Sequence, residues 1–280
     1  FLPRIIRKQF LEDDNPFYRE LNNYKSLFMG EDATIPETAE DIEVVFEDGS
    51  DSIPLSEIQN RLSTMLENVI KVLDDAGIDY TLDGGTLIGA MRDSTQGFIP
   101  WDDDIDIAIN IDEVEHAKLI LREKLNYVIQ DSENEPFYSP RLSIFKIREQ
   151  NEYSMISEKD SLLYKHYKSK GIFIDVYAIS PILISKNADK IFRRTVLHPI
   201  NSKLEILENT YPKRGSYDKQ LKRFSNTKRC YISFLNFYKK HAKNTKYYAY
   251  FPNYIHDLKK AGPYHLPTEI YDTHPHYALW

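Results

Sequence analysis

The strongest structural signal in this chain comes from two neighbouring segments, DGGTLIGAMR at residues 83–92 and GFIPWDDDIDIAIN at residues 97–110. The first begins with paired glycines, which predict a tight turn, and continues as an apolar helix. The second ends in alternating Ile and polar residues, a period of two that predicts a strand with one apolar face and one polar face. We therefore expect a turn able to hold a phosphate just upstream of carboxylates able to hold a divalent metal.

The polar face of the predicted strand carries Asp104 and Asp106. Residues two apart on a strand project from the same face, with their Cα atoms ~7 Å apart. Both carboxylates can then reach one ion, and hard oxygen ligands without nearby His or Cys favour Mg²⁺ or Mn²⁺ over zinc. The alternative is a cluster of solvated acids at a strand edge, without a metal.

A calcium loop is a second way to read the same acids. Asp102, Asp104, Asp106 and Glu113 fall at positions 1, 3, 5 and 12 of an EF-hand. Position 6 is Ile107, where the sharp turn of that loop requires Gly. The Ile alternation also predicts a strand, so we reject the EF-hand.

A third acid, Asp175, interrupts the otherwise apolar run at residues 171–179. That run predicts a buried strand, and an unpaired buried carboxylate is costly. Asp175 should therefore have a partner, which could be a metal, an Arg or Lys, or a hydrogen-bond network. It could instead act as a base toward an acceptor hydroxyl.

Basic and glycine residues provide candidate phosphate contacts. Gly84 and Gly85 allow backbone N–H groups to approach a phosphate, and a helix capped at Thr86 would add its positive dipole end. Arg92 lies two turns further along this helix and could grip a phosphate bidentately. Lys146 and Arg148, on a predicted strand at residues 142–148, are further candidates.

Periodicity predicts several other elements. Ser56 and Gln59 form a candidate capping box for a helix with an apolar stripe from Ile58 to Leu73, which Gly77 ends. A short strand at 78–82 and a helix at 114–125 follow. Beyond Asn187 the pattern becomes helical and rich in aromatic residues.

Composition bounds the class of protein. The 280 residues carry a formal net charge of -7, which gives no overall attraction to nucleic acid, although residues 186–260 are rich in Lys and Arg. The single cysteine, Cys230, excludes an intrachain disulfide and a zinc site built on paired cysteines. No apolar run reaches the ~18 residues of a spanning helix. The start, which lacks both Met and a signal peptide, is typical of an excised or processed fragment.

These segments together resemble the LicD family, which includes the fukutin-related proteins and belongs to the nucleotidyltransferase-fold superfamily. The likeness runs from the helix at Ser56 through the two segments quoted above to the run at 171–176. It implies an α+β fold, with a nucleotidyltransferase-like mixed sheet flanked by helices and a helical C-terminal region. It also implies an N-terminal extension or linker at 1–52 and a LicD-like domain at 53–280, in which the mainly helical part 186–280 could bind the acceptor.

The resemblance further implies a phosphotransferase that moves a phosphorylated alcohol, such as phosphocholine, from a CDP-linked or other nucleotide-diphosphate donor to a hydroxyl of a glycan or glycolipid. The metal, Mg²⁺ or Mn²⁺, would be held by Asp104, Asp106 and Asp175, with Gly84, Gly85, Thr86, Arg92, Lys146 and Arg148 at the nucleotide. Neither nucleic acid nor a membrane span is expected. The location would be cytoplasmic or at the membrane periphery, or the Golgi lumen in a eukaryote. Alternatives are transfer of the nucleotidyl group to a small molecule, and an inactive nucleotide-binding module.

Overall fold

The computed structural model describes residues 42–46, 49, 51–92, 97–151, 153, 155, 164–183, 185–209, 217–251 and 265–267. Every structural statement below concerns these residues. The predicted extension at 1–52 lies mostly outside them.

Nine strands are present in the described ranges. They are β1 (Glu43–Val45), β2 (Ser52–Pro54), β3 (Tyr80–Leu82), β4 (Ile105–Asn110), β5 (Val128–Asp131), β6 (Phe145–Arg148), β7 (Phe173–Ile182), β8 (Asn244–Phe251) and β9 (His265–Pro267). The first two form a separate antiparallel hairpin, whose Val44 is buried in the core.

Six α-helices accompany the strands. They are α1 (Leu55–Asp75), α2 (Gly84–Arg92), α3 (Val114–Lys124), α4 (Lys186–Phe192), α5 (His198–Asn209) and α6 (Tyr217–His241). A π-helical turn, Arg193–Leu197, joins α4 to α5, and a 3₁₀ turn occupies Tyr164–His166.

The main sheet is mixed, in the order β3-β4-β7-β6-β5. Only β4 and β7 are parallel; β3, β6 and β5 join by antiparallel pairing. Strand β8 continues beside the second half of β7 and pairs in turn with β9. This mixed sheet with flanking helices confirms the fold class predicted from the sequence.

The two central strands were predicted well. β4 lies within the alternating segment 97–110, and β7 overlaps the apolar run 171–179. Helix α3 also matches its prediction to within a residue. The hairpin β1–β2 and strands β5, β8 and β9 were not predicted; β8 and β9 fall within the C-terminal part expected to be mainly helical.

Helix α1 has the predicted buried stripe, in which Ile58, Leu62 and Leu73 are at most 1% exposed. It ends as predicted at Gly77, whose φ of 66° is left-handed. The amide of Gly77 donates to the carbonyl of Asp74 and the amide of Ile78 to that of Leu73, the two bonds of a Schellman motif. The capping box was wrong: Pro54 is the N-cap and no side chain caps the helix.

The two faces of the sheet have different character. The register aligns Asp106 on β4 with Asp175 on β7 and with Lys146 on β6, so these side chains share one face. Ala178 of β7 lies on the opposite face and, with Ile232 and Leu235 of α6, lines a cavity of about 130 Å³. Helix α6 therefore covers the face opposite the acids.

Candidate metal centre

Four neighbouring strands contribute one polar row across the sheet. Gln130 of β5 is opposite Lys146 of β6, Lys146 is opposite Asp175 of β7, and Asp175 is beside Asp106 of β4. Neighbouring strands lie ~4.8 Å apart, so adjacent members of the row are in contact range. The fold thus assembles in space residues that are up to 69 positions apart in the chain.

Asp104, which immediately precedes β4, completes a cluster with Asp106 and Asp175. One carboxylate oxygen from each residue lies within 4.8 Å of the other two. Three convergent carboxylates suit a hard divalent cation such as Mg²⁺ or Mn²⁺, whose preferred ligands are oxygens. The structure therefore brings together the three predicted ligands in an arrangement that fits a metal.

The start of α2 lies directly against these acids. Gly84 has a φ of 50°, and a Cβ added there would collide with a carboxylate oxygen of Asp106. A Cβ on Gly85 would come within 2.6 Å of a carboxylate oxygen of Asp102. The two glycines thus allow a close approach of α2 to these carboxylates, and the positive end of α2 points toward the cluster.

Thr86 has a different local role from the predicted one. The helix begins at Gly84, so Thr86 is inside its first turn and is not its cap, which corrects the prediction. Its buried hydroxyl accepts a hydrogen bond from the backbone amide of Asp106 at 2.8 Å. The amide of Asp83 donates to the carbonyl of Asp106 at 3.0 Å, so both bonds fix α2 against β4.

Lys146 is the buried partner that Asp175 requires. Its Nζ lies 2.8 Å from Oδ1 and 2.9 Å from Oδ2 of Asp175, and both residues are at most 5% exposed. The ammonium also lies 3.4 Å from the centre of the Phe173 ring, a cation–π contact. Asp175 therefore has a buried lysine on one side and the other two acids on the other.

Burial and mutual repulsion disfavour three ionised carboxylates at the cluster without a bound cation. Burial, and then repulsion by Asp106, raise the pKa of Asp104 well above its ordinary value. Burial, and then repulsion by Asp175, do the same to the pKa of Asp106, against a hydrogen bond from Tyr177. A divalent cation among these oxygens would relieve that repulsion, which is the usual condition of a carboxylate metal site.

Two further acids lie beside the cluster. Burial raises the pKa of Asp83 to about 6, and burial with repulsion from Asp103 raises the pKa of Asp102 to about 7. The Gln59 side-chain amide of α1 donates to the carbonyls of Asp102 at 2.9 Å and of Ile99 at 3.2 Å. The sequence predicts Gln59 in a helix cap. Its contact with the 99–102 loop has no local signal in the sequence and was not predicted.

The other two residues predicted to contact phosphate are Arg148 and Arg92, and neither is shown at the carboxylate cluster. Arg148 is fully buried, and its guanidinium donates to Gln130 at 2.6 Å and to the carbonyl of Gly171 at 2.7 Å. These bonds tie β6 to the segment before β7. Arg92 is the last residue of α2, and its side chain lies outside the described atoms.

Comparison with known proteins places this site within a known family domain. Residues 77–214 match the family described as "LicD/FKTN/FKRP, nucleotidyltransferase domain". This range contains the whole carboxylate cluster, the glycines of α2 and Lys146. No solved structure matches the chain.

Two curated relatives illustrate the similarity. A 36-residue segment, 13% of this chain, is 64% identical to "Lipopolysaccharide cholinephosphotransferase LicD" of Haemophilus influenzae and covers 13% of that protein. A 63-residue segment, 22% of this chain, is 35% identical to "Ribitol 5-phosphate transferase FKRP" of Mus musculus and covers 12% of it. The alignments thus span only about an eighth of the length of these relatives.

None of the helices in the described ranges combines the length and apolar character that a transmembrane span needs.

Proposed function

We propose, from the match of residues 77–214 to the LicD family, that the protein is a metal-dependent phosphotransferase. It would move a phosphorylated alcohol, such as phosphocholine, from a CDP-linked donor to a hydroxyl of a glycan or glycolipid acceptor. The names of the relatives support the class of group, because one transfers choline phosphate and the other ribitol 5-phosphate.

The observation that carries this proposal is the position of the carboxylate cluster against the start of α2. Asp104, Asp106 and Asp175 would hold Mg²⁺ or Mn²⁺. Gly84, which lies against Asp106, and Gly85, which lies against Asp102, would place backbone N–H groups at the donor phosphates. A metal ion beside the donor phosphates is the arrangement that phosphoryl transfer requires.

The chain's own residues act mainly by holding and orienting. Thr86 and the backbone of Asp83 fix α2 relative to β4, so the distance between phosphate site and carboxylates is set by the fold. Lys146 holds both oxygens of Asp175, which favours Asp175 as a ligand over Asp175 as the base for the acceptor hydroxyl. Arg92 and Lys146 remain candidates for contact with the donor.

The reaction would proceed by in-line attack. A bond forms between the acceptor oxygen and the phosphorus of the transferred group, the bond from that phosphorus to CMP breaks, and the acceptor proton passes to solvent. A bound divalent cation supplies charge neutralisation at the diphosphate. The protein contributes position and electrostatic stabilisation.

Product analysis tests the proposal. The purified protein is incubated with CDP-choline, CDP-ribitol or CDP-glycerol and Mn²⁺, with and without glycan acceptor, and the nucleotide released is identified. Release of CMP supports transfer of the phosphorylated alcohol. In a parallel incubation with CTP in place of the CDP-linked donor, release of diphosphate would instead show nucleotidyl transfer, the activity that the name of the domain suggests.

A ligand panel determines the donor base. Thermal shifts are measured with CDP, GDP, UDP and ADP compounds in the presence of Mg²⁺, for the wild type and for Asp106→Asn. A stabilisation confined to cytidine nucleotides, and lost in the variant, supports a CDP-linked donor. Equal shifts for all four bases would remove the cytidine assignment, and no shift with any would remove the nucleotide.

A further inference from the structure

Charge is distributed very unevenly in this protein. The stretch 185–243, which contains α4, α5 and α6, carries fifteen Lys and Arg against four Asp and Glu, although the whole chain has a net charge of -7. Two of those four acids are buried in ion pairs, Asp189 with Arg193 and Glu208 with Arg141. Arg193 and Lys228 of this region are buried as well, so burial leaves its large excess of positive charge unchanged.

Helix α6 concentrates this charge on its outer side. Its buried side is aromatic, with Tyr231, Phe234 and Tyr238 at most 4% exposed. The exposed side carries five basic residues and the single acid Asp218. We call the five the basic face of α6: Lys219, Lys222, Arg223, Arg229 and Lys240.

Helical geometry aligns three members of this face. Residues 7 and 11 apart are separated by nearly two and nearly three whole turns at 3.6 residues per turn. Lys222, Arg229 and Lys240 therefore lie along one line, spaced ~10 Å and ~16 Å apart at 1.5 Å per residue. Ser233 and Asn236 fall on the same line, so in α6 no acid interrupts it between its two ends.

Exposed apolar side chains flank the basic face. Ile191 of α4 is 63% exposed and Phe237 of α6 is 44% exposed. Phe192, next to Ile191 in the chain, has its ring centroid 5.3 Å from that of Phe237, so α4 packs against α6 beside these exposed residues. We call Ile191 and Phe237 the apolar corner. A third exposed residue, Ile206 on α5, lies on the same helical hairpin.

We propose that the basic face and the apolar corner form a docking surface for an anionic phospholipid membrane. Charge complementarity favours an anionic occupant, and each Lys or Arg near such a membrane contributes about fivefold to binding. The exposed Ile and Phe favour lipid over a soluble polyanion, because apolar side chains gain free energy by entering the interface and none from a hydrated polyanion. This surface does not depend on the proposed catalytic activity.

Docking through α6 leaves the carboxylate cluster accessible. The cluster lies on the sheet face opposite α6, because Ala178, which lines a cavity together with residues of α6, is on the other face from Asp175. A membrane against the outer side of α6 would therefore not close the metal centre. Turnover of a soluble donor should be the same for docked and free protein, so docking and catalysis can be measured separately.

Vesicle flotation with the full chain tests the proposal. The probes are vesicles of phosphatidylcholine alone and of equimolar phosphatidylcholine and phosphatidylglycerol. Wild-type protein should float only with the anionic vesicles, and less as salt increases. Lys222→Glu with Lys240→Glu should weaken binding at least ~25-fold, from about fivefold for each lost basic residue. Ile191→Ser should weaken it further at constant charge.

Matched variants elsewhere on the surface are the controls. Lys71→Glu with Lys124→Glu makes the same change in charge at exposed positions of α1 and α3 and should bind nearly as wild type. Leu119→Ser, at a residue 54% exposed on α3, should also have little effect. Circular dichroism checks that every variant is folded.

Three results would overturn the proposal. The first is equal loss of binding in the control pair, which would mean that net charge alone matters. The second is binding to dextran sulfate with no binding to anionic vesicles, which would identify a polyanion site. The third is undiminished vesicle binding by the folded Lys222→Glu and Lys240→Glu variant.

Discussion

At the scale of single residues, Asp175 lies between a buried cation and two other carboxylates. Lys146 contacts both of its oxygens, whereas Asp104 and Asp106 approach from the other side. From the sequence alone, a metal and a lysine are alternative partners of Asp175. The structure shows the lysine pair directly and places the same carboxylate in the candidate metal cluster, so the two alternatives are compatible.

Asparagine at two of the acids should therefore have opposite effects on the metal-free protein. Asp175→Asn leaves the Lys146 ammonium buried without its counter-charge and should lower the free energy of unfolding by ~3–5 kcal/mol. Asp104→Asn relieves repulsion by the neighbouring acids and can keep the hydrogen bond between this side chain and Asp102, so stability should hold or rise. Urea denaturation in excess EDTA measures both. Equal stability of Asp175→Asn and wild type would contradict the importance of the lysine pair.

Removal of the lysine should be compensated by metal. Lys146→Met leaves three acids without a cation and should destabilise the metal-free protein, whereas saturating Mn²⁺ restores the missing positive charge. Lys118→Met is the matched control: Lys118 is equally buried and lies 2.7 Å from Asp131, away from the cluster. Mn²⁺ should raise the melting temperature of Lys146→Met more than that of the wild type, and should give Lys118→Met no such extra gain. Equal gains would argue against Lys146 as a counter-charge of the site.

The pairing of Lys146 with Asp175 could not be predicted from local sequence. Both residues were recognised as chemically important, but their contact depends on the antiparallel register of β6 against β7. The same holds for Gln59, whose contacts with the loop at 99–102 span some forty residues. Periodicity identifies which face a residue occupies, and not which residue it meets across the sheet.

At the scale of elements, the turn into α2 makes the clearest prediction. Gly84→Ala combines a strained left-handed φ with a collision against Asp106, so it should lower both stability and Mn²⁺ affinity. Gly77→Ala has a similar φ of 66° but no atom within 4 Å of the added Cβ. It should cost ~1 kcal/mol through strain alone and leave metal affinity unchanged. Calorimetric titration distinguishes them, and equal affinities would place the metal away from α2.

Elements with strong periodicity were predicted, and those without it were missed. The alternating Ile residues of β4 and the apolar run of β7 specify strands by themselves. Strands β1, β2 and β9 have only three residues each, too few to show a period. Their pairing with other strands stabilises them, and such contacts leave no pattern in the sequence of the strand itself.

At the scale of the whole molecule, the sheet separates two surfaces. One face holds the carboxylate cluster, and the other is covered by α6, whose Lys228 donates to the backbone carbonyls of Pro136 at 3.0 Å and Glu135 at 3.3 Å. Burial lowers the pKa of Lys228 to about 8, against the opposing charges of Glu135 and Asp131. This contact anchors α6 to the segment that precedes β6.

The lowered pKa of Lys228 predicts a pH dependence of stability. Between pH 8 and about 10.5 the unfolded chain keeps a proton that the folded protein releases, so the free energy of unfolding should rise with pH in this window. Below pH 8 both states are protonated, so Lys228 adds no pH dependence to the free energy of unfolding there. Urea denaturation at pH 7 and pH 9 should show a larger increase for wild type than for Lys228→Gln. Parallel changes in the two proteins would contradict the assignment.

The central claim is that Asp104, Asp106 and Asp175 form a divalent metal centre, and calorimetric titration of Mn²⁺ into the intact protein tests it most directly. Wild type should show a site whose affinity falls more than ~100-fold in Asp106→Asn, because even residues that only orient a ligand contribute 10–100-fold. Asp112→Asn, at an exposed acid outside the cluster, should bind as wild type. Undiminished binding by a folded Asp106→Asn variant would contradict the claim.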